Sequence, residues 1–300
     1  MTAGATAANA TVEASSRERR AAEAVGRRAL AFADFHIHNR FSRDSILSED
    51  KFIRVALERG LTHVAVTNHN NVEGAIAVRD RAAALGVDEK LTVILGEEVS
   101  TSDGEVVGIF LQRTIPRGLT ADQTADEIHA QGGLVSIPHP FDPLRASHIR
   151  RMPLERLAAA GKIDMIEVFN SRVTFARHNQ QAADFAMRHG IPGIACSDSH
   201  SAFEVAMSFN ALPAFATADE LRHGLGENEW HGSRSTVLIH LTTRFAVWSN
   251  IVRRWLGRDT ATAPVLGPEP TKQVEKEPVA TPAPSELPNP GDPEATDDRG

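Results

Sequence analysis

Between residues 31 and 197, short β-branched runs take turns with helical patterns, and this alternation restricts the chain more than any other feature. "AFADFHI" (31–37), "THVAVTN" (62–68), "LTVILGEEV" (91–99), "EVVGIFL" (105–111), "LVSI" (134–137), "KIDMIEVF" (162–169) and "GIACS" (193–197) read as strands. Helical patterns fill 48–60, with Ser48 at the N-cap and Gly60 at the stop, then 72–86, 121–133, the region around 151–160, and the stretch ending at Gly190. The turn "STSDG" joins two successive strands and marks a hairpin-like interruption. Repeated β-then-α units predict a parallel sheet, and their number suits closure into a barrel.

Polar residues fall at one end of these strands. The first ends in His36 and His38, the second in Asn68, His69 and Asn70, and the third in Glu97 and Glu98. "LVSI" runs into His139, "IEVF" into Asn170, and "GIACS" into Asp198 and His200. In a β/α barrel the C-terminal strand ends open onto one face, where catalytic groups gather. His36 and His38 alternate with Phe35 and Ile37, which places both imidazoles on one strand face and the apolar pair on the other. Alone, such an HxH also fits a core strand with incidental histidines. Six strand ends together imply a metal centre of imidazoles and carboxylates suited to Zn, Mn or Fe, and more than four ligands imply more than one ion. His129 and His178 lie within helical patterns and are expected at the surface, and His63 opens a strand at the opposite end.

Composition excludes other classes. A net charge of −7 contains a tail, residues 258–300, with nine acidic and four basic side chains, hence −5 there and −2 elsewhere, so no basic field for duplex DNA is present. That tail holds nine of the 16 prolines and is expected to be disordered, as are residues 1–28. A single cysteine, Cys196, rules out an internal disulfide, and no signal-peptide pattern or membrane-length apolar run occurs, so a cytoplasmic location is expected. The segment 237–255 carries apolar residues at helical spacing and predicts an amphipathic helix on the barrel, with membrane or partner contact as the alternative. The domain is expected to span 29–256, and the tail 257–300.

"DFHIHNRFSRDS", "TNHNNVEG", "GEE" (96–98), "PHPFDPLR" (138–145), "IEVFNSR" (166–172) and "CSDSH" (196–200) together resemble the polymerase and histidinol phosphatase (PHP) domain family. The resemblance implies an α/β fold, a distorted seven-stranded TIM-like barrel, and two or three divalent metals that hydrolyse phosphate esters, with Mg a further candidate. Carried over, it places His36, His38, Glu98 and Asp198 on one metal, which makes these four the catalytic set through activated water. Glu98 bridges to a second metal held also by His139, and Asp44, His69 and His200 hold a third. Glu98, not Glu97, fits the family's G-x-E register.

Four positions depart from the family pattern. Asn68 and Asn70 stand where Asp is usual, which removes two charges near His69, and Asn39 stands where threonine is usual. Glu105 replaces a common histidine, so either a carboxylate ligates there or the second site has lost a ligand. Arg43, Arg145 and Arg172 follow strand-end motifs and are candidates for gripping phosphate, with Asn170 as a substrate hydrogen-bonding partner.

The expected substrate is a small phosphorylated metabolite: a nucleoside monophosphate, a 3′,5′-bisphosphate or a short RNA 5′ end. Histidinol phosphate is the rival, and a non-catalytic metal-binding relic is the alternative outside catalysis. An amidohydrolase barrel would need a strand-end lysine, and Lys51, Lys90 and Lys162 are not so placed.

Overall fold

The computed structural model describes residues 29–145 and 147–235. The expected disordered ends, the amphipathic helix at 237–255 and the boundary at 256/257 lie outside them. Among the described residues nine strands form one sheet in the order β7-β6-β5-β4-β3-β2-β1-β8-β9. The strands are β1 (Leu30–Ile37), β2 (His63–Val66), β3 (Thr92–Thr101), β4 (Gly104–Ile109), β5 (Leu134–Ile137), β6 (Met165–Asn170), β7 (Gly193–Cys196), β8 (Ser208–Pro213) and β9 (Glu229–Gly232). The helices are α1 (Glu49–Glu58), α2 (Glu73–Ala84), α3 (Ala121–Ala130), α4 (Arg151–Ala159), α5 (Ala176–His189) and the short α6 (Ala218–Gly224). Capping boxes at Thr120/Gln123 and Thr217/Glu220 start α3 and α6.

Strands β1, β2 and β3 pair in parallel, as do β5, β6 and β7, while β4 runs antiparallel to both neighbours. The interruption foreseen at "STSDG" is thus the β3–β4 hairpin, turned at Gly104, whose φ of +123° only glycine adopts readily. The seven expected strands are β1 to β7. Two more, β8 and β9, continue the sheet beyond β1 in antiparallel fashion.

The barrel closes between β1 and β7 largely through side chains. The Asn210 amide donates to the carbonyls of Ala33 (3.1 Å) and Ala195 (2.7 Å) and accepts from the Ala195 N–H (3.0 Å). Asp34 accepts from the Ser197 N–H, and the His38 N–H donates to the Ser199 carbonyl (2.8 Å).

The barrel interior has two layers. The lower one is apolar: Ala33, Phe35, Ala65, Ile94, Ile109, Leu134, Met165 and Ile194 pack together with Phe215 of the β8–α6 loop. Further along several strands the interior residue becomes ionisable, two interior positions on in Ile94 to Glu98 and one in Met165 to Glu167 and Cys196 to Asp198. The strict alternation expected in β1 is corrected here. Asp34 pairs with Val64 and Ile37 with Val66, so β1 carries one extra residue. The bulge separates Phe35, which joins the inner layer, from Ile37, which packs outward among residues of α1 and α2. Strand β6 has a similar irregularity between Glu167 and Phe169.

Candidate metal centre

Every metal-ligand candidate reaches one space above the apolar layer, buried except where Asp44 and His69 border its opening. His36, His38 and Glu98 offer ligand atoms within 4.8 Å of one another, as do His36, His139 and Asp198, and also His69, Glu98 and Glu105. A fourth group joins His38, Asp44, His69 and His200. His38 therefore borders the group that the resemblance assigned to Asp44, His69 and His200 alone, and His139 faces Asp198 as well as Glu98. Glu98 lies at the middle, 3.3 Å from His139 Nε2, 3.3 Å from His38 Nε2 and 3.1 Å from His69 Nδ1. Glu97 points the other way, accepting from the Ile115 N–H (2.8 Å).

Residues outside the centre set the imidazole tautomers. His36 Nδ1 donates to Glu167 at 2.6 Å, and His38 Nδ1 donates to the Ser42 hydroxyl at 3.1 Å, so both Nε2 atoms turn inward, 3.0 Å apart. Ser42 in turn donates to Asn68 (2.8 Å) and accepts from the His69 N–H (3.2 Å). Asn68 and Asn39 form a buried amide pair: the Asn68 amide donates to Asn39 Oδ1 (2.7 Å), and the Asn39 N–H returns a bond to Asn68 Oδ1 (3.0 Å). The Asn39 amide also donates to the Gly74 carbonyl (3.0 Å).

Strained backbone coincides with the centre. Among the described residues, non-glycine positions with positive φ include Asn70 (56°), His139 (29°) and Asp198 (53°), each at a strand end.

Burial lowers the basicity of the His36 imidazole, but Glu98, Glu167 and Asp198 outweigh it and carry its pKa well above the ordinary value. His69 is raised well above its ordinary value in the same way, against burial, by Glu98 and Asp44. His38 is lowered to about 3 by burial and by its neighbours His200 and His69, so it is neutral and able to ligate at pH 7. Burial raises Asp198, Asp44 and Glu98, yet the surrounding cations hold all three well below the usual carboxylate range.

The centre fits divalent cations. Two imidazole Nε2 atoms converge, and Glu98 Oε2, Asp198 Oδ1 and Asp44 Oδ1 are buried without a hydrogen-bond partner. His36, His38, Asp44, His69, Glu98, His139, Asp198 and His200 are the side chains that would hold the ions, with Glu105 beside them.

The substrate-binding candidates separate. Arg145 hydrogen-bonds Asp198 at the mouth, its side chain 20% exposed, and Arg43 lies exposed on the loop before Asp44. Arg172 is buried against His200 and Glu204. Asn170 is fully buried, its amide hydrogens directed at Glu167 (2.7 Å) and Asp198 (3.2 Å). The access route runs past Asp44 and His69, whose side chains are 23% and 30% exposed, whereas His36, His38 and Glu98 are closed off.

Glu167 is absent from the sequence-based site, although a glutamate inside a buried strand was a usable signal. Of the histidines set apart, His63 bonds the Phe215 carbonyl (2.9 Å) and the half-buried His129 pairs with Asp164 (2.8 Å). His178 corrects its expected surface position. It falls on the buried stripe of α5 with Ala182 and Phe185.

Residues 34–140 match the PHP domain family, and residues 176–229 match the PHP-associated family. An uncharacterized protein of Methanocaldococcus jannaschii is 33% identical over 150 residues, which cover 46% of this chain and 81% of that protein. The chain belongs to the PHP domain family. Among solved structures, the PHP fold seen here is shared with a two-domain protein from Bacteroides vulgatus ATCC 8482 containing a predicted PHP-like metal-dependent phosphoesterase. The TM-score is 0.55 at 19% identity, over 68% of this chain and 65% of that one. It is shared also with PsfC from Pseudomonas syringae PB-5123, at a TM-score of 0.51 and 17% identity, over 76% of this chain and 99% of that one.

Proposed function

We propose that this PHP-family chain is a metal-dependent phosphoesterase acting on a small phosphorylated metabolite, with nucleotides as the substrate class. The observation that carries this is the convergence of eight ligand-type side chains beneath an arginine at the mouth. Divalent metals in such a centre activate water at neutral pH and offset the charge on phosphoryl oxygens.

The chain's own residues supply the rest. His36 and His38 are presented through Nε2 by Glu167 and Ser42, and Asn170 steadies Asp198. Arg145 offers a planar fork to phosphoryl oxygens, and Arg43 adds positive charge at the approach. Cys196 is fully buried and its thiol is raised well above its ordinary value, first by burial, so it is no nucleophile at neutral pH. The nucleotide class rests on the resemblance of "PHPFDPLR" and "IEVFNSR" to stand-alone family members. Lys51, Lys90 and Lys162 all lie away from the centre, which disfavours an amidohydrolase with a carbamylated lysine. No helix of the described residues is long and apolar enough to cross a membrane. The proposed compartment is the cytoplasm.

The test is phosphate release from nucleoside monophosphates, 3′,5′-bisphosphates, sugar phosphates and histidinol phosphate, with Mn, Zn, Fe and Mg supplied separately. Nucleotides are expected to show the highest kcat/KM. His36→Ala and Asp198→Ala should each abolish release and lower bound metal. No release from any substrate by folded, metal-retaining protein would sink the catalytic proposal.

A further inference from the structure

Glu105 sits at the start of β4, where the expected histidine is missing, and it is held from two directions. Its N–H donates to the Ser147 carbonyl at 2.8 Å, and its Oε2 accepts from the Ser147 hydroxyl at 2.6 Å. The turn behind it is equally constrained: a Cβ added at Gly104 would lie 2.4 Å from the Ile149 Cα. Glu105 is therefore a rigid group whose other oxygen, Oε1, lies 3.8 Å from His69 Nδ1. Oε2 is 3.9 Å from His139 Nε2.

Glu98 enters the same space from β3, with Oε1 3.3 Å from His139 Nε2 and Oε2 3.1 Å from His69 Nδ1. Glu98 is fully buried, and its Oε2 has no hydrogen-bond partner. Two carboxylates and the His69 nitrogen thus lie within 4.8 Å of one another, with His139 beside Glu98 at the edge of the group. The neighbouring groups are richer in nitrogen: His36 and His38 with Glu98, and His38, His69 and His200 with Asp44. Carboxylate oxygen favours hard cations such as Mn²⁺ and Mg²⁺, whereas imidazole suits Zn²⁺ and Fe²⁺.

Resting on the metal-centre reading above, we propose that Glu105 ligates directly and makes the position it shares with Glu98 and His69 selective for Mn²⁺ or Mg²⁺. The imidazole-rich positions take Zn²⁺ or Fe²⁺, so the centre is mixed-metal by construction. Ser147 is a positioning residue that fixes the Glu105 carboxylate.

The experiment reads metal content without substrate. Chelator-treated full-length protein, shown to be folded by circular dichroism, is reloaded with equal Zn²⁺ and Mn²⁺. After gel filtration it is analysed by elemental analysis and Mn²⁺ electron paramagnetic resonance. The unmodified chain is expected to retain Zn²⁺ together with about one equivalent of Mn²⁺. Glu105→Gln should lose the Mn²⁺ and keep the Zn²⁺, Glu105→His should exchange Mn²⁺ for Zn²⁺, and Ser147→Ala should weaken Mn²⁺ binding about tenfold.

Displacement of all Mn²⁺ by Zn²⁺ in the unmodified chain would overturn the proposal, and this needs no variant to fold. An unchanged Mn-to-Zn ratio in Glu105→Gln would overturn it too. Should phosphate release fail while the metals partition as expected, the catalytic reading falls and the selective site stands.

Discussion

Asn39 and Asn68 show why single positions resist interpretation in isolation. Each departs from the family pattern, and they are hydrogen-bonded to each other in the core, 29 positions apart in the chain. An amide pair keeps Ser42 directed at His38 and the His69 backbone without burying a charge. The charge missing at Asn68 is thus replaced by a neutral network, while Asn70 pairs with Ser100. Glu167 is the other lesson at this scale. It holds His36 Nδ1 at 2.6 Å, accepts from the His139 N–H (2.9 Å) and accepts from Asn170. Glu167→Gln keeps the shape and removes the charge that raises imidazole basicity. We expect metal affinity at the His36 position to fall about 10- to 100-fold, measured by competition with a chromogenic chelator. Unchanged affinity would show that Glu167 only fills space.

At the scale of elements, the β-then-α alternation and the β3–β4 hairpin are legible in the sequence because both are written in local periodicity. Strand β8, α6 and β9 are not. "SFNALP" is short, and its only long-range instruction is Asn210, whose partners lie 15 and 177 positions away. The amide of Asn210 takes the place of a ladder between β1 and β7. Asn210→Ala leaves three buried backbone groups without these partners, each worth about 1 kcal/mol or more. A loss of about 2–4 kcal/mol is expected, read as a lower urea midpoint with unchanged slope. Gly74 carries a comparable constraint in α2, since an added Cβ would lie 1.8 Å from Asn68 Nδ2.

For the whole molecule, buried carboxyls make the stability of the metal-free chain depend on pH. Burial raises Asp34 to about 7 and Glu97 to about 8. Both keep protons in the folded chain that the unfolded chain has released above about pH 4. Their contribution to stability therefore falls as pH rises from about 4 to about 8, offset in part below about pH 6.5 by His38, whose depressed imidazole contributes stability that grows with pH. The raised His36 and His69 add to that fall above about pH 6.5, where the unfolded imidazoles lose their protons. The depressed Asp44, Glu98 and Asp198 act at the other end, contributing stability that is lost as pH drops below about 4. Thermal melts of chelator-treated protein between pH 5 and 9 should show Tm decreasing. Metal-loaded protein should resist this, because metals and protons compete for the same nitrogens. Glu97→Gln should flatten the metal-free slope, by on the order of 5 kcal/mol at most, without altering metal content. An undiminished slope in that variant would remove Glu97 from this account.

By itself the sequence determined the β/α alternation of the barrel with its hairpin interruption and the strand ends that carry ligand-type residues, while the resemblance to the family's G-x-E register chose Glu98 over Glu97. The alternation and the strand ends follow from local periodicity and from the single open face of a barrel, whereas a period of two says only that one of the two glutamates points inward. Only the tertiary structure decided that Phe35 and Ile37 part company at a bulge, that Glu167 orients His36, that Asn39 answers Asn68, and that Asn210 closes the sheet. These depend on register between segments far apart in the chain, which hydrogen bonds across strands fix and local periodicity does not encode.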